Sequence, residues 1–429
     1  MRLLKNFIKD FTTYSVAHKL IMGLAIILFL PYQLTILYII IFGLFVLFNK
    51  SFWLKTKDMV SSYALLGFGF YLFVIANVYR NYEGSIIAVA MFLMFLVIIY
   101  YRQNINKELF EKIINIMIFL SVVHIVLACF EQSYYNAIAS DTHYFFDISN
   151  KPDYRVHTFF ENANYYALIV LMIEALCIYK MVSNKKNRSL YISVALLNII
   201  PLYFTGSRIV WIGLIVTWLA MFVVSNNKKA ISASISFALI MLLSIIYKIP
   251  LIPRFLEFGA DLGRRKVIYQ AAKLVIKDNW LLGQGPGTYG FVNNNYLNKY
   301  ISIYGSNDLN YLGISSFHVH SLLLEPFVSY GVIGTILLFI YMYAQFRRII
   351  HMYIFKVDPH LMTLIIGVVI AVFITNALDF SIGQIQTATL FFIILGSVDV
   401  NRQEVLKALN NKRRENHQKN KENINIINL

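Results

Sequence analysis

Along this chain the apolar residues gather into successive runs close to the ~20 residues that carry a helix across ~30 Å of hydrocarbon. Hydrocarbon offers no partner to backbone N–H and C=O groups, so only helices and closed barrels can span it. The runs do not alternate polar and apolar residues, which argues against barrel strands. The chain therefore reads as an all-α polytopic membrane protein. Composition agrees: 58% of residues are hydrophobic, 14% are charged, and mean hydropathy is +0.62. A soluble fold with that balance would leave large apolar patches facing water. No short apolar core is followed by an early cleavage site, so no removable signal peptide is expected. Cys129 and Cys177 both fall inside apolar runs and suggest neither a disulfide framework nor a metal site.

The runs predict about twelve helices, at 20–30, 33–48, 59–79, 84–101, 113–130, 165–182, 190–205, 209–225, 230–248, 322–345, 361–379 and 384–399. Pro31 separates the first two, which are short. Read as a single kinked span they would put Arg2, Lys5, Lys9 and Lys19 outside, against the positive-inside tendency, so two spans are favoured. With both termini cytoplasmic, the inner segments hold most of the 38 Lys and Arg, including Lys55, Lys57, Lys185, Lys186, Lys228 and Lys229. The formal net charge of +16 is thus mainly a topology signal, and nucleic acid is not an expected partner. Residues 1–400 form the expected transmembrane domain, and 401–429 a basic cytoplasmic tail whose composition predicts disorder.

This topology leaves two long extracytoplasmic loops, about 131–164 and 249–321. Loops of that length are usually functional or disordered. In the second, Val267, Ile268, Ala271, Ala272, Val275 and Ile276 recur at helical spacing while Lys266, Lys273 and Lys277 take other faces. That pattern predicts an amphipathic helix over 264–279 lying at the membrane surface.

Several outward-facing groups suit chemistry. Arg208 sits in the short turn Thr205-Gly206-Ser207-Arg208. Arg264 and Arg265 open the surface helix, with Arg254 ten residues earlier, and Arg155 ends the first outer loop. Guanidinium stays charged and grips phosphate with two prongs, so converging arginines suit a diphosphate. Alternatively, each is an interfacial anchor whose head snorkels toward lipid headgroups. His318-Val319-His320 precedes the tenth run; an imidazole there could take a proton from a sugar hydroxyl, or the pair could bind a metal, although no third ligand stands at a recognisable spacing. Gly285-Pro286-Gly287-Thr288-Tyr289-Gly290 imitates a dinucleotide fingerprint. It lacks the preceding strand and the following helix, and reads instead as a tight turn redirecting the loop to the bilayer. His124 and Glu174, deep in neighbouring spans, either pair with each other or relay protons. Asp379 could orient an arginine or a histidine.

These points occur in a familiar order. Arg265-x-x-x-Tyr269, then Trp280-Leu281-Leu282-Gly283-Gln284-Gly285-Pro286-Gly287-Thr288-Tyr289, then His320-Ser321-Leu322-Leu323-Leu324 and Gly331-Val332-Ile333-Gly334 resemble the O-antigen polymerase and O-antigen ligase family. Ser207-Arg208 and Phe160-x-Asn162-Ala163-Asn164 are similar to further landmarks of that family. The motifs cover about 155–335. Ser321 stands where the family has Asn after the histidine, and Ala163 where it has proline.

The resemblance implies a metal-independent inverting glycosyltransferase with a GT-C-like bundle, in the cytoplasmic (inner) membrane, its active site facing the periplasm or cell exterior. The implied donor is a glycan on undecaprenyl diphosphate, and no cofactor is implied. His320 would activate the acceptor hydroxyl while Arg208 and Arg265 hold the diphosphate. Arg264, His318, Arg155, Asn164, Tyr289 and Arg254 are the expected substrate-binding residues. Membrane lipids, a flippase and a chain-length regulator of the same pathway are the expected partners. The product would be a surface polysaccharide such as O-antigen or capsule, made by a polymerase. The alternatives are a ligase passing the finished chain to a lipid A core or other acceptor, and a polysaccharide-lipid transporter using His124 and Glu174.

Overall fold

The computed structural model describes residues 14–57, 59–140, 154–247, 249, 258–287, 296, 299–305 and 318–411, with side chains omitted at 136–140 and 258–264. Among these, helices form at each of the twelve predicted runs and no strand occurs. The long helices are α1 Val16–Ile27, α2 Tyr32–Leu47, α3 Lys50–Thr56, α4 Val60–Val78, α5 Tyr82–Asn104, α6 Lys107–Ser140 and α7 Ala163–Ser183. They continue as α8 Arg188–Phe204, α9 Arg208–Val224, α10 Lys228–Ile246, α11 Phe258–Asn279, α12 Gly331–Ile354, α13 Pro359–Asn376 and α14 Ile385–Gly396. Short polar turns set many of the boundaries. Asn49, Asn81, Asn162, Asn227 and Asp358 each place a side-chain oxygen on an early backbone N–H of the helix that follows.

Seven of these helices are long and apolar enough to cross a membrane, or eight if the pair α2 and α3, bent by 80°, counts as one broken span. The expected dozen is therefore reached only by including α1, α8 and α9, which are apolar but shorter, and the 12-residue α14. Run length on a hydropathy basis does not distinguish a full crossing from a shorter helix packed against one. The first two runs are separate helices, and Tyr38 donates to the Leu20 carbonyl at 2.7 Å while Thr35 donates to that of Ile27 at 2.8 Å, so they fold back on each other as a hairpin.

The core is unevenly shared. In α7, 83% of the most apolar window is buried, from Tyr166 through Lys180, so this helix is the bundle's axis. Only 17% of the α10 window is buried; Ile235, Leu239, Leu242 and Ile246 lie exposed on it, as a lipid-facing helix requires. Between them α9 packs on α7, α10 and α13.

Two expectations about the loops change. The first outer loop is shorter than 131–164, because α6 continues to Ser140. The surface helix is longer than 264–279, since α11 begins at Phe258. Its predicted face is the buried one: Val267, Ile268, Ala271, Ala272 and Val275 form a small second core with Tyr300, Val319 and Val328, with Ile276 packed at its margin, while Lys266, Lys273 and Lys277 are exposed. The tail starts with helix at 402–411, and 412–429 lie outside the described residues.

The glycine-rich stretch is a turn that docks this outer layer onto the bundle. Gln284 and Gly285 donate backbone N–H to the Val328 and Ser329 carbonyls at 3.0 and 2.8 Å, and Val332 donates to Trp280. Gly283 and Gly331, at φ +68° and +60°, lie back to back. A Cβ on Gly283 would meet the Gly331 nitrogen at 2.4 Å, so any side chain there would push the layers apart.

Candidate functional site

The start of α7, Tyr269 of α11 and the segment that follows α13 meet around one residue. His320 stands at φ +55°, a left-handed conformation costly for a residue with a Cβ. Such strain persists where the surroundings over-determine it, and functional sites are where it gathers. Here the Tyr269 hydroxyl donates to the His320 carbonyl at 3.1 Å, and the buried Glu325 carboxylate accepts from the Val319 amide at 2.7 Å. The Ser321 hydroxyl accepts from the Leu323 and Leu324 amides, and the Leu322 amide reaches the Asn376 carbonyl at 2.9 Å. Serine thus supplies the helix-starting acceptor at the position where the family resemblance leads one to expect Asn.

The His320 ring is held as firmly as its backbone. Nδ1 lies 3.0 Å from Asp379 Oδ1, while the other Asp379 oxygen accepts from the Ser381 hydroxyl at 2.9 Å and Oδ1 also accepts from the Phe380 amide. Burial by itself would raise the Asp379 carboxyl, but the hydrogen bond and charge of His320, with help from His318 and the Phe380 amide, hold it well below the ordinary carboxylate range. It is therefore a carboxylate at any physiological pH. A carboxylate at Nδ1 favours the proton there and leaves Nε2 as the acceptor. The His320 side chain is 31% exposed against 4% for Asp379, so the pair presents imidazole outward and carboxylate inward.

His318 packs edge-on to His320, ring centroids 4.4 Å apart, and its Nε2 meets the Tyr165 hydroxyl at 3.2 Å. Burial first, and the neighbouring imidazole second, push it down to about 4, so it stays neutral. His318, His320 and Asp379 offer ligand atoms all within 4.8 Å of one another. Asp379 is the third group that local spacing did not reveal, because it lies 59 residues beyond His320. A divalent cation held by the trio would have to displace the Nδ1 proton from the 3.0 Å hydrogen bond.

Through its place beside Asn164, Tyr165 relates this cluster to Arg155. Its chain neighbour Asn164 accepts from an Arg155 guanidinium nitrogen, and Arg155 Nε donates to the Thr205 carbonyl at 2.7 Å. The Val156 amide also reaches the Phe204 carbonyl, so the end of the first outer loop is laced to the turn that opens α9. Arg155 and Asn164 thereby bond each other and the backbone. Arg208 begins α9 at that turn, 7% exposed. Arg265 lies one helical turn before Tyr269 and within electrostatic reach of its hydroxyl, as does Asp379. The side chain of Arg264, and all of Arg254 and Tyr289, lie outside the described residues.

Sequence reasoning missed Glu325 and Tyr165. Glu325 carried a signal, an acid within an otherwise apolar run; Tyr165 carried none beyond its place beside Asn164. Of the two readings left open for His124 and Glu174, pairing with each other does not occur. His124 bonds Thr158 Oγ1 at 3.0 Å and the Phe29 carbonyl at 2.7 Å, while Glu174 is buried on α7 near Asn198 and Trp218. A helix faces several neighbours, and adjacency in the chain did not fix which one each side chain meets.

Residues 193–339 match the family model described as O-antigen ligase. The matched stretch is less than half of the chain and contains Arg208, Arg265, His318 and His320, but not Arg155, Asn164 or Asp379. It supports the O-antigen polymerase and ligase family, in line with the resemblance carried by the motifs. A search of curated proteins finds no match.

Proposed function

We propose that this chain, whose 193–339 stretch carries the O-antigen ligase domain, joins glycans presented on undecaprenyl diphosphate by inverting transfer at the extracytoplasmic face of the cytoplasmic membrane. The observation that carries the reading is the Asp379–His320 pair, strained in backbone, fixed in ring orientation and open at Nε2. In this mechanism His320 Nε2 takes the proton of the acceptor hydroxyl as its oxygen bonds the anomeric carbon of the donor. The bond from that carbon to the diphosphate breaks on the opposite side, which inverts the configuration. Negative charge gathers on the departing phosphate oxygens, where Arg208 and Arg265 stabilise it most if water is scarce. Asp379 keeps the imidazole in the required tautomer and stabilises the imidazolium that forms. The reaction needs no nucleotide sugar. The surface helix α11 would bring Arg265 over the bundle, and the exposed apolar flank of the bundle offers the polyprenyl tail a lateral approach.

Polymerisation is the preferred form, with a lipid-linked repeat as both donor and acceptor. Ligation to a separate acceptor has one observation in its favour, the description of the matching family. The test is purified protein in vesicles with lipid-linked repeats as the sole glycan. A ladder of products supports the polymerase. Transfer only after a second acceptor is added supports the ligase, and no transfer under either condition overturns the enzyme.

A further inference from the structure

At the other end of the bundle from His318 and His320 a cavity of about 610 Å³ opens between the α7–α8 and α9–α10 turns and the start of α13. Its size lies in the ~300–1,000 Å³ range of small-ligand sites. Lys185, Arg188, Lys228 and Lys229 line it together with His360, and no carboxylate does. None of these four cations has a carboxylate partner among the described residues. They are exposed, so each can swing its charge into the cavity. Asn226 and Asn227 add amide groups from the turn between α9 and α10, and Met181 and Val182 at the end of α7 supply an apolar wall.

Four unneutralised cations around one concavity repel one another, and an anion entering it relieves that repulsion. Scattered loop lysines would serve the positive-inside tendency equally well without lining one concavity. The combination of clustered cations, amide donors and an apolar wall at a helix end fits a ligand that is anionic at its head and apolar below it. We propose that this cavity binds the phosphodiester headgroup of an anionic phospholipid from the adjacent leaflet, the guanidinium of Arg188 and the ammonium groups of Lys185, Lys228 and Lys229 holding the phosphate. Basic cavities between transmembrane helices on the cytoplasmic side are suited to such headgroups. This assignment is independent of the chemistry at His320.

The experiment compares full-length wild-type protein with a variant carrying Lys185→Gln, Arg188→Gln, Lys228→Gln and Lys229→Gln. A second variant, with Lys50→Gln, Lys55→Gln, Lys57→Gln and Lys356→Gln, loses the same charge at residues that do not line the cavity. Each is folded into nanodiscs of phosphatidylcholine containing a minority of phosphatidylglycerol, then stripped with detergent, and the retained lipid is counted by native mass spectrometry. The cavity variant is expected to retain about tenfold less phosphatidylglycerol or lower, given the contribution of each basic residue near anionic lipid. The control variant is expected to match wild type. Equal retention in wild type and cavity variant, or equal loss in both variants, overturns the site. Inorganic phosphate added during stripping distinguishes the two sources of the anion: release of the lipid only at high phosphate supports a lipid site. Saturable phosphate binding with no retained phosphatidylglycerol overturns the lipid assignment.

Discussion

Two carboxylates, at opposite ends of the bundle, organise charge in different ways. At the His320 end Asp379 pairs with one imidazole that is 31% exposed, and strained backbone holds the pair in place. At the other end Asp399 receives two guanidiniums, Arg102 at 2.7 Å and Arg348, with Arg102 and Asp399 almost completely buried. Tyr101 and Ser397 bond each other at 2.7 Å beside it, and Ser62 lies 3.4 Å from Arg102. That arrangement ties α5, α12 and the end of α14 together and leaves no open titratable atom at its centre. An ion pair in a membrane bundle is a clamp when its charges are buried on both sides, as those of Arg102 and Asp399 are. It becomes a candidate for chemistry when one partner can change protonation state and still reach solvent.

The largest effect that would separate the two ends is loss of the His320 imidazole. His320→Ala should cut glycan transfer by about 10²–10⁴-fold while the protein remains folded, with Asp379→Asn losing less because the base survives misoriented. Initial rates on lipid-linked repeats, with unfolding measured in parallel, would check both, and retained activity in His320→Ala removes it as the base. The Asp399 end should show the opposite pattern. Asp399→Ala strands the buried Arg102 guanidinium and should destabilise the fold by about 3–5 kcal/mol, with turnover per folded molecule unchanged. Denaturant unfolding in detergent reads the first quantity, and activity normalised to folded protein reads the second.

Smaller effects sharpen the site around His320. Arg208→Lys and Arg265→Lys keep the charge but lose the two-pronged grip, so each should slow transfer by about 10–10²-fold. Normal turnover in both would argue against diphosphate binding there. The protonation of His318 gives a pH signature. Its pKa falls from 6.5 to about 4 on folding, so the unfolded chain binds that proton first and stability should drop as pH falls from about 6.5 toward 4. Asp379, also depressed, adds to the loss in the same direction but lower, below its ordinary 3.8. His318→Gln should flatten the slope between pH 6.5 and 4 in thermal unfolding scans. The smallest effect expected is none: EDTA should leave transfer unchanged. Inhibition reversed by a divalent ion would assign His318, His320 and Asp379 to a metal instead.

Hydropathy and helical spacing, both local properties, determined much of this protein from sequence alone. They located every described apolar helix, and the spacing of Val267 to Ile276 identified the buried face of α11 before its partners were known. The motif order around Arg208, Arg265 and His320 was likewise legible as a resemblance. Which helices cross fully was not, because a run of apolar residues looks the same whether it traverses the bilayer or packs within it. Only the tertiary structure decided which side chains meet: Asp379 with His320 rather than with an arginine, Tyr165 with His318, and His124 with Thr158 and the Phe29 carbonyl rather than with Glu174. The physical reason is that burial makes each polar group take whichever partner packing brings within about 3 Å, and that choice is made by helix rotation and crossing, on which the linear chain is silent.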